Sequence, residues 1–241
     1  MTVIFWYNVF MVIGGLQKLT LIDYPGKVAA TVFTAGCNFF CDFCHNPDLV
    51  LLKKTESFPF MSQEQFFWWL EKKMGLLDGV CITGGEPTIH SDLPEFIKEI
   101  KSLGFLVKLD TNGTNPEMLE NLINAGLVDY IAMDIKAPLE KYHKFSNIKL
   151  DLEKIKKSVE LIKQSKAHEF RTTLIPLFHQ AKDILDIAKW ISGAKKYALQ
   201  QFRPDVTLDP GCSMLKPYPD QKIHDFCDMV SRHFESCEVR L

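Results

Sequence analysis

Short β-branched apolar runs alternate with longer stretches of helical periodicity along this chain, and that alternation restricts its fold more than any single residue does. Residues 28–33, 79–83, 105–110, 130–134, 170–175 and 197–202 read as strands, with a shorter one at 238–241. Helices are expected over 62–74, 93–103, 116–126, 151–165, 181–192 and 220–234. Ser62 with Gln65 makes a capping box, and Pro116 suits a first helical position. Gly75, Gly104 and Gly126 stop helices, and Leu152, Ile155, Val159 and Ile162 share one helical face. About six strand–helix alternations predict an α/β fold, a partial (βα)6 TIM-type barrel of parallel strands with outer helices. Chemistry in such folds gathers at the C-terminal strand ends. Five polar motifs fall there: the cysteine loop after Thr34, Gly84-Gly85-Glu86-Pro87, Asp110-Thr111-Asn112-Gly113, Met133-Asp134-Ile135-Lys136 and Gln201-Phe202-Arg203-Pro204.

No linker-like stretch divides residues 14–241, so one domain is expected there. Residues 1–13 form an apolar N-terminal extension. It is too short for a membrane span, which takes about 20 apolar residues, and lacks a basic n-region and cleavage site. Residues 1–10 read as dispensable and non-native, with an apolar arm packing on a partner as the competing reading.

Hydrophobic residues are 46% and charged residues 24% of the chain, which excludes a disordered or fibrous polymer. A formal net charge of −2 gives no electrostatic case for nucleic-acid binding. Of seven cysteines, Cys37, Cys41 and Cys44 crowd into one loop, which reads as a metal site in a reducing compartment, hence a cytoplasmic protein. Soft thiolates suit zinc or an iron–sulfur cluster. A structural zinc site takes four closed ligands, and no fourth is evident here. Three thiolates on a cubane leave one iron open to a substrate or cofactor. A zinc knuckle, and with it a non-catalytic zinc-binding interaction module, stays the alternative. Cys81 reads as core, and Cys212, Cys227 and Cys237 as packing or surface thiols. Trp68-Trp69, beside Phe66 and Phe67, read as core packing, with partner docking as the alternative.

Glycines at Gly84 and Gly85 let backbone approach a ligand closely, or simply make a tight turn. Glu86 either accepts a ligand hydrogen bond or orients the loop. Asp110 and Asn112 end a strand. Their plainer reading is an Asx turn, but Asn115 and Pro116 already serve the next helix, which leaves Asp110 for a ligand. Asp134 and Lys136 alternate with Ile135 and either pair with each other or face a ligand. Arg171 reads slightly better as an ion pair in the barrel wall. Arg203 contacts a nucleoside, the metal shell or a partner. His179 reads first as structural.

Cys37-Asn38-Phe39-Phe40-Cys41-Asp42-Phe43-Cys44 resembles the CxxxCxΦC signature of the radical S-adenosylmethionine (SAM) superfamily, with Phe43 as the aromatic. Asp23-Tyr24-Pro25-Gly26, Phe33-Thr34-Ala35-Gly36-Cys37-Asn38 and Cys44-His45-Asn46-Pro47 extend the likeness to glycyl-radical-enzyme activases. Within these, the chain over roughly 13–241 is most similar to those of anaerobic ribonucleoside-triphosphate reductase. The resemblance implies the radical SAM fold and a 4Fe-4S cluster on Cys37, Cys41 and Cys44, whose open iron chelates SAM. Reductive cleavage would yield methionine and a 5′-deoxyadenosyl radical that takes a glycine Cα hydrogen from the partner. Gly84, Gly85 and Glu86 would lie against the methionine amino group. Asp110, Asn112, Asp134, Lys136 and Arg203 would complete the cofactor contacts, Lys136 facing the carboxylate, with a monovalent cation shared by Asp110 and Asp134. The implied partners are the glycyl-radical enzyme and a low-potential donor such as flavodoxin or ferredoxin, with neither nucleic acid nor membrane. Pyruvate formate-lyase activase and 7-carboxy-7-deazaguanine synthase are the enzymatic alternatives.

Overall fold

Continuous, largely apolar runs too short for helices form the parallel strands, buried along most of their length, and the amphipathic stretches between them form the helices. The computed structural model describes residues 11–51, 60–146, 148–176 and 178–241; residues 1–10, read above as an extension, lie outside the described residues. The chain divides into two units, the first holding residues 1–38, 48–111 and 117–130 and the second 39–47, 112–116 and 131–241.

In the first unit the strands are β1 (Ile13–Thr20), β2 (Ala29–Thr34), β3 (Gly79–Gly84) and β4 (Leu106–Thr111), ordered β1-β2-β3-β4. β2, β3 and β4 run parallel, so the residues just past β2, the double glycine and the end of β4 share one side of this unit. β1 runs antiparallel to β2 with two register irregularities. It is absent from the sequence reading because Gly14 and Gly15 break a strand pattern. A Cβ on Gly14 would sit 2.3 Å from Leu49 Cδ2, so the leucine side chain would have to shift to admit one. Met11 and Ile13, grouped from sequence with the apolar extension, are both buried, and the Met11 N–H donates to Asp92 Oδ1 at 2.8 Å.

The helices here are α1 (Pro47–Leu51), α2 (Gln63–Glu71), α3 (Leu93–Ser102) and α4 (Pro116–Asn124). The capping box of α2 is formed: Gln65 N–H donates to Ser62 Oγ at 3.1 Å and Ser62 N–H to Gln65 Oε1 at 3.0 Å. α2 stops short of Met74, and successive turns carry the chain to Gly75 at φ +75°. Phe66 and Phe67 are buried, but Trp68 is 63% exposed beneath the Lys72 ammonium. Core packing therefore holds for the phenylalanines and fails for Trp68.

The second unit orders β5 (Tyr130–Asp134), β6 (His168–Leu174), β7 (Lys196–Gln201) and β8 (Ser236–Arg240) as parallel neighbours. Its helices are α5 (His143–Ser146), α6 (Leu152–Lys163), α7 (Ala181–Trp190) and α8 (Asp220–Val230). The expected face of α6 is the buried one, through Ile155, Val159 and Ile162. Glu169 on β6 is buried and receives two hydrogen bonds from the Arg240 guanidinium, at 3.0 and 2.6 Å. Cys227 on α8 and Cys237 on β8 form a disulfide, which corrects their reading as plain thiols. Among the described residues no helix is long and apolar enough to cross a membrane.

Candidate active site

In the first unit, residues just past β2 and β3 clasp one another through backbone. Gly85 N–H donates to Thr34 O and Glu86 N–H to Gly36 O, each at 2.8 Å. A Cβ on Gly85 would lie 1.8 Å from Gly36 O, and Gly84 sits at φ +111° with Thr34 N 2.5 Å from where its Cβ would be. The double glycine therefore seats the root of the cysteine loop, one residue before Cys37. Glu86 is buried, and its Oε1 accepts from Thr88 N–H at 3.1 Å, Thr88 Oγ1 at 2.5 Å and Thr111 Oγ1 at 2.8 Å. Of its two sequence readings, this is the loop-orienting one.

Asp110 stands near the end of β4, two residues from Lys108, so both project from one face. Their side chains form a buried ion pair. Cys81, paired in register with Lys108, puts its Sγ 3.7 Å from the ammonium. Lys108 thus holds the Asp110 Oδ1, a partner absent from the sequence reading of Asp110 as a ligand-facing residue.

In the second unit, Asn112 Oδ1 accepts from Thr114 N–H at 3.0 Å and Thr114 Oγ1 at 2.7 Å, an Asx-type turn. Gly113, at φ +78°, leaves room for Met133, whose Cε would lie 2.0 Å from a Cβ there. Past β5, Asp134 accepts from Lys136 Nζ at 2.9 Å and from Arg171 Nε at 2.8 Å. Both plainer readings, the Asp134–Lys136 pair and the Arg171 ion pair, are present. Burial alone would raise the Asp134 carboxyl, but Arg171 and then Lys136 hold it well below the usual carboxylate range. Burial likewise opposes the Lys136 charge, and Asp134 outweighs it, so the ammonium persists. Lys136 also lies 6.0 Å from the centroid of the Phe43 ring.

Two residues that sequence reasoning ranked low or missed hold the Lys136 segment. Tyr142 is fully buried; its hydroxyl donates to Asp134 O at 3.3 Å and accepts from Lys136 N–H at 3.4 Å. His179 accepts Ile175 N–H on Nδ1 at 3.0 Å, so its Nε2–H donates to Lys136 O at 2.8 Å. Nothing local in the sequence marks Tyr142, whereas Lys108 is marked as a lone lysine within an apolar strand.

The segment Phe39–Pro47 belongs to this unit. Phe40 N–H donates to Ser146 O, Cys44 N–H to Cys41 O, and Asp209 N–H to Asp42 O, between 2.8 and 3.0 Å. Burial pushes the Cys41 thiol up to about 11, against the pull of Lys136, and burial raises Cys44 too. Cys44 Sγ accepts Asn46 N–H at 3.4 Å. Among the described residues no three Cys, His, Asp or Glu side chains stand grouped as ready-made metal ligands. The donor chemistry nevertheless fits a cluster: soft thiols on one loop, two of them beside the Lys136 cation, which favours the thiolate that iron binds. Arg203, past β7, is exposed and donates to Leu241 O at 3.4 Å. The His45 ring hydrogen-bonds the Arg203 backbone, and burial lowers that histidine.

The family model of the Radical SAM superfamily matches residues 31–191. The chain belongs to the radical SAM superfamily. Radical SAM enzymes use a 4Fe-4S cluster and SAM. A Methanocaldococcus jannaschii protein named "Putative glycyl-radical enzyme activating enzyme MJ1227" is 35% identical over 234 residues, 95% of each chain. This radical SAM chain thus groups with the glycyl-radical enzyme activating enzymes. The pyruvate formate-lyase-activating enzyme of Listeria monocytogenes is 31% identical over 133 residues, 50% of this chain and 51% of that one. Streptococcus suis SuiB, solved bound to SAM, matches with a TM-score of 0.63 at 13% identity, over 84% of this chain and 47% of its own. A domain of a Bacteroides vulgatus pyruvate-formate lyase-activating enzyme matches with a TM-score of 0.55 at 15% identity, over 67% of this chain and 98% of its own. The fold is the α/β radical SAM fold, its class expected from the strand–helix alternation and its family implied by the resemblance of the cysteine motif.

Proposed function

We propose that this chain is the activase of a glycyl-radical enzyme, installing a glycine Cα radical on anaerobic ribonucleoside-triphosphate reductase. The observation that carries the activase reading is the relative that is 35% identical along 95% of both chains. Cys37, Cys41 and Cys44 would hold the cluster, as the catalytic part of one domain over 14–241. When bound, that cluster supplies the electron for reductive cleavage of SAM, from which the radical that takes the glycine hydrogen derives. The protein's own share is placement and charge. Gly84 and Gly85 keep the β3 turn free of side chains, so its backbone can line the cofactor's amino group, and Glu86 fixes that turn. Lys136 keeps a positive charge for the cofactor carboxylate, and Asp134, Asp110, Asn112 and Arg203 complete the contacts. Asp23-Tyr24-Pro25-Gly26 and Cys44-His45-Asn46-Pro47 support a glycyl-radical activase over 7-carboxy-7-deazaguanine synthase, and the reductase is proposed as partner from the overall resemblance. Pyruvate formate-lyase is the second reading, favoured by the Listeria relative. A flavodoxin or ferredoxin is proposed as the electron donor, and the cytoplasm as the compartment.

The test is anaerobic reconstitution with iron and sulfide, followed by EPR of the reduced protein with and without SAM. A 4Fe-4S signal that changes on adding SAM is expected. One bound zinc and EPR silence would refute the reading. Incubation with each candidate partner then assigns it, by which one acquires a glycyl-radical doublet.

A further inference from the structure

Lys108 stands out among the charged residues. It is 1% exposed, in the middle of β4, between Val107 and Leu109. A lysine is almost never fully buried without a partner, and here the partner is Asp110. β3 supplies the next neighbour, Cys81, itself fully buried. Further along the same register Thr31, paired with Cys81, donates to Asp23 Oδ2 at 2.6 Å. The first unit thus carries a polar row across β2, β3 and β4, with one ammonium in it. In the second unit, Asp134 has two cationic partners of its own, Lys136 and Arg171. Asp110 and Asp134, the two carboxylates expected to share a cation, are therefore each already paired with a cationic side chain of their own unit.

We propose that Lys108 is a positioning residue that acts as a built-in counter-ion for Asp110, so that SAM binding by this chain needs no alkali cation. The proposal rests on the activase reading for its ligand, and it replaces the shared monovalent cation expected from sequence. An ammonium tethered to β4 does what a bound potassium ion would do at a carboxylate: it offsets the charge and fixes the oxygen. Because it is tethered, it cannot be diluted away.

Two measurements test this. SAM affinity of the reconstituted wild type is compared in potassium chloride and in tetramethylammonium chloride at equal ionic strength. The same comparison is made for Lys108→Met, which keeps the length and removes the charge. The wild type should bind alike in both salts. The variant should bind about tenfold more weakly in tetramethylammonium, the loss of one charge-assisted contact, and recover in potassium. A clear loss of wild-type affinity without potassium overturns the proposal, as does a variant that binds like wild type in both salts. The thermal midpoint of the wild type in the two salts, read without SAM, stands apart from the activase reading and from the variant's folding. An unchanged midpoint supports the counter-ion, and a rise specific to potassium overturns it. Absence of SAM binding in either salt refutes the activase reading alone and leaves the midpoint to decide on Lys108.

Discussion

Lys136 and His179 show how much one buried charge depends on its neighbours. Lys136 keeps its proton because Asp134 outweighs burial, and its backbone is held by Tyr142 and His179. Replacing Lys136 by Met should weaken SAM binding about tenfold, the worth of one charge-assisted contact, and should lower iron content by much less than that. Equilibrium binding and iron analysis on the same samples check this. His179 is fully buried, and burial lowers its pKa to about 4. A second ring proton would sit on Nδ1, facing the Ile175 N–H that now donates to it. The unfolded histidine takes its proton near 6.5, so the folded state loses stability as pH falls from there toward 4, by about 3 kcal/mol at most. Denaturant melts of wild type and His179→Gln across that window should converge at low pH. At this scale the cysteine loop and the strand-end motifs were legible, because each is a local pattern. Lys108 as partner of Asp110 is a local i, i+2 pair on one strand that the sequence reading passes over, whereas Tyr142 behind Lys136 was not legible, because its role depends on which turns meet.

Among the elements, the turn after β3 is the most constrained. Gly85 has no space for a side chain, since the atom in the way is the carbonyl oxygen of Gly36. Gly85→Ala should therefore cost about 3 kcal/mol or more, in the range of a strained backbone or an overpacked core, and should displace the root of the cysteine loop. Thermal melts and iron uptake measure the two effects separately; both should fall. Strand and helix identities could be read from periodicity for every parallel strand and every long helix. β1 could not, because its glycines serve packing against Leu49 and Phe33 rather than strand propensity. α5 is only four residues long and carries no periodic signal.

For the molecule as a whole, the fold class followed from alternation, whereas the disulfide did not follow from anything local. Cys227 and Cys237 are 10 residues apart, with no motif to pair them. The bond ties α8 to β8 in the second unit. Closing a loop of that size is worth about 3 kcal/mol in the chain-entropy account, so reduction by dithiothreitol should lower the thermal midpoint of the wild type. Cys227→Ser should start from that lower midpoint and show no further response.

Glu169 and Arg240 add a constraint in time. The carboxylate is made first, and the guanidinium that neutralises it is 71 residues further on. At cellular elongation rates that gap is roughly 4 to 14 s. Throughout it, a carboxylate that the finished protein buries lacks the Arg240 guanidinium, and this ion pair forms only once β8 exists. The sheet of the second unit can close only after β8 has been synthesised, which makes its assembly a late event during translation.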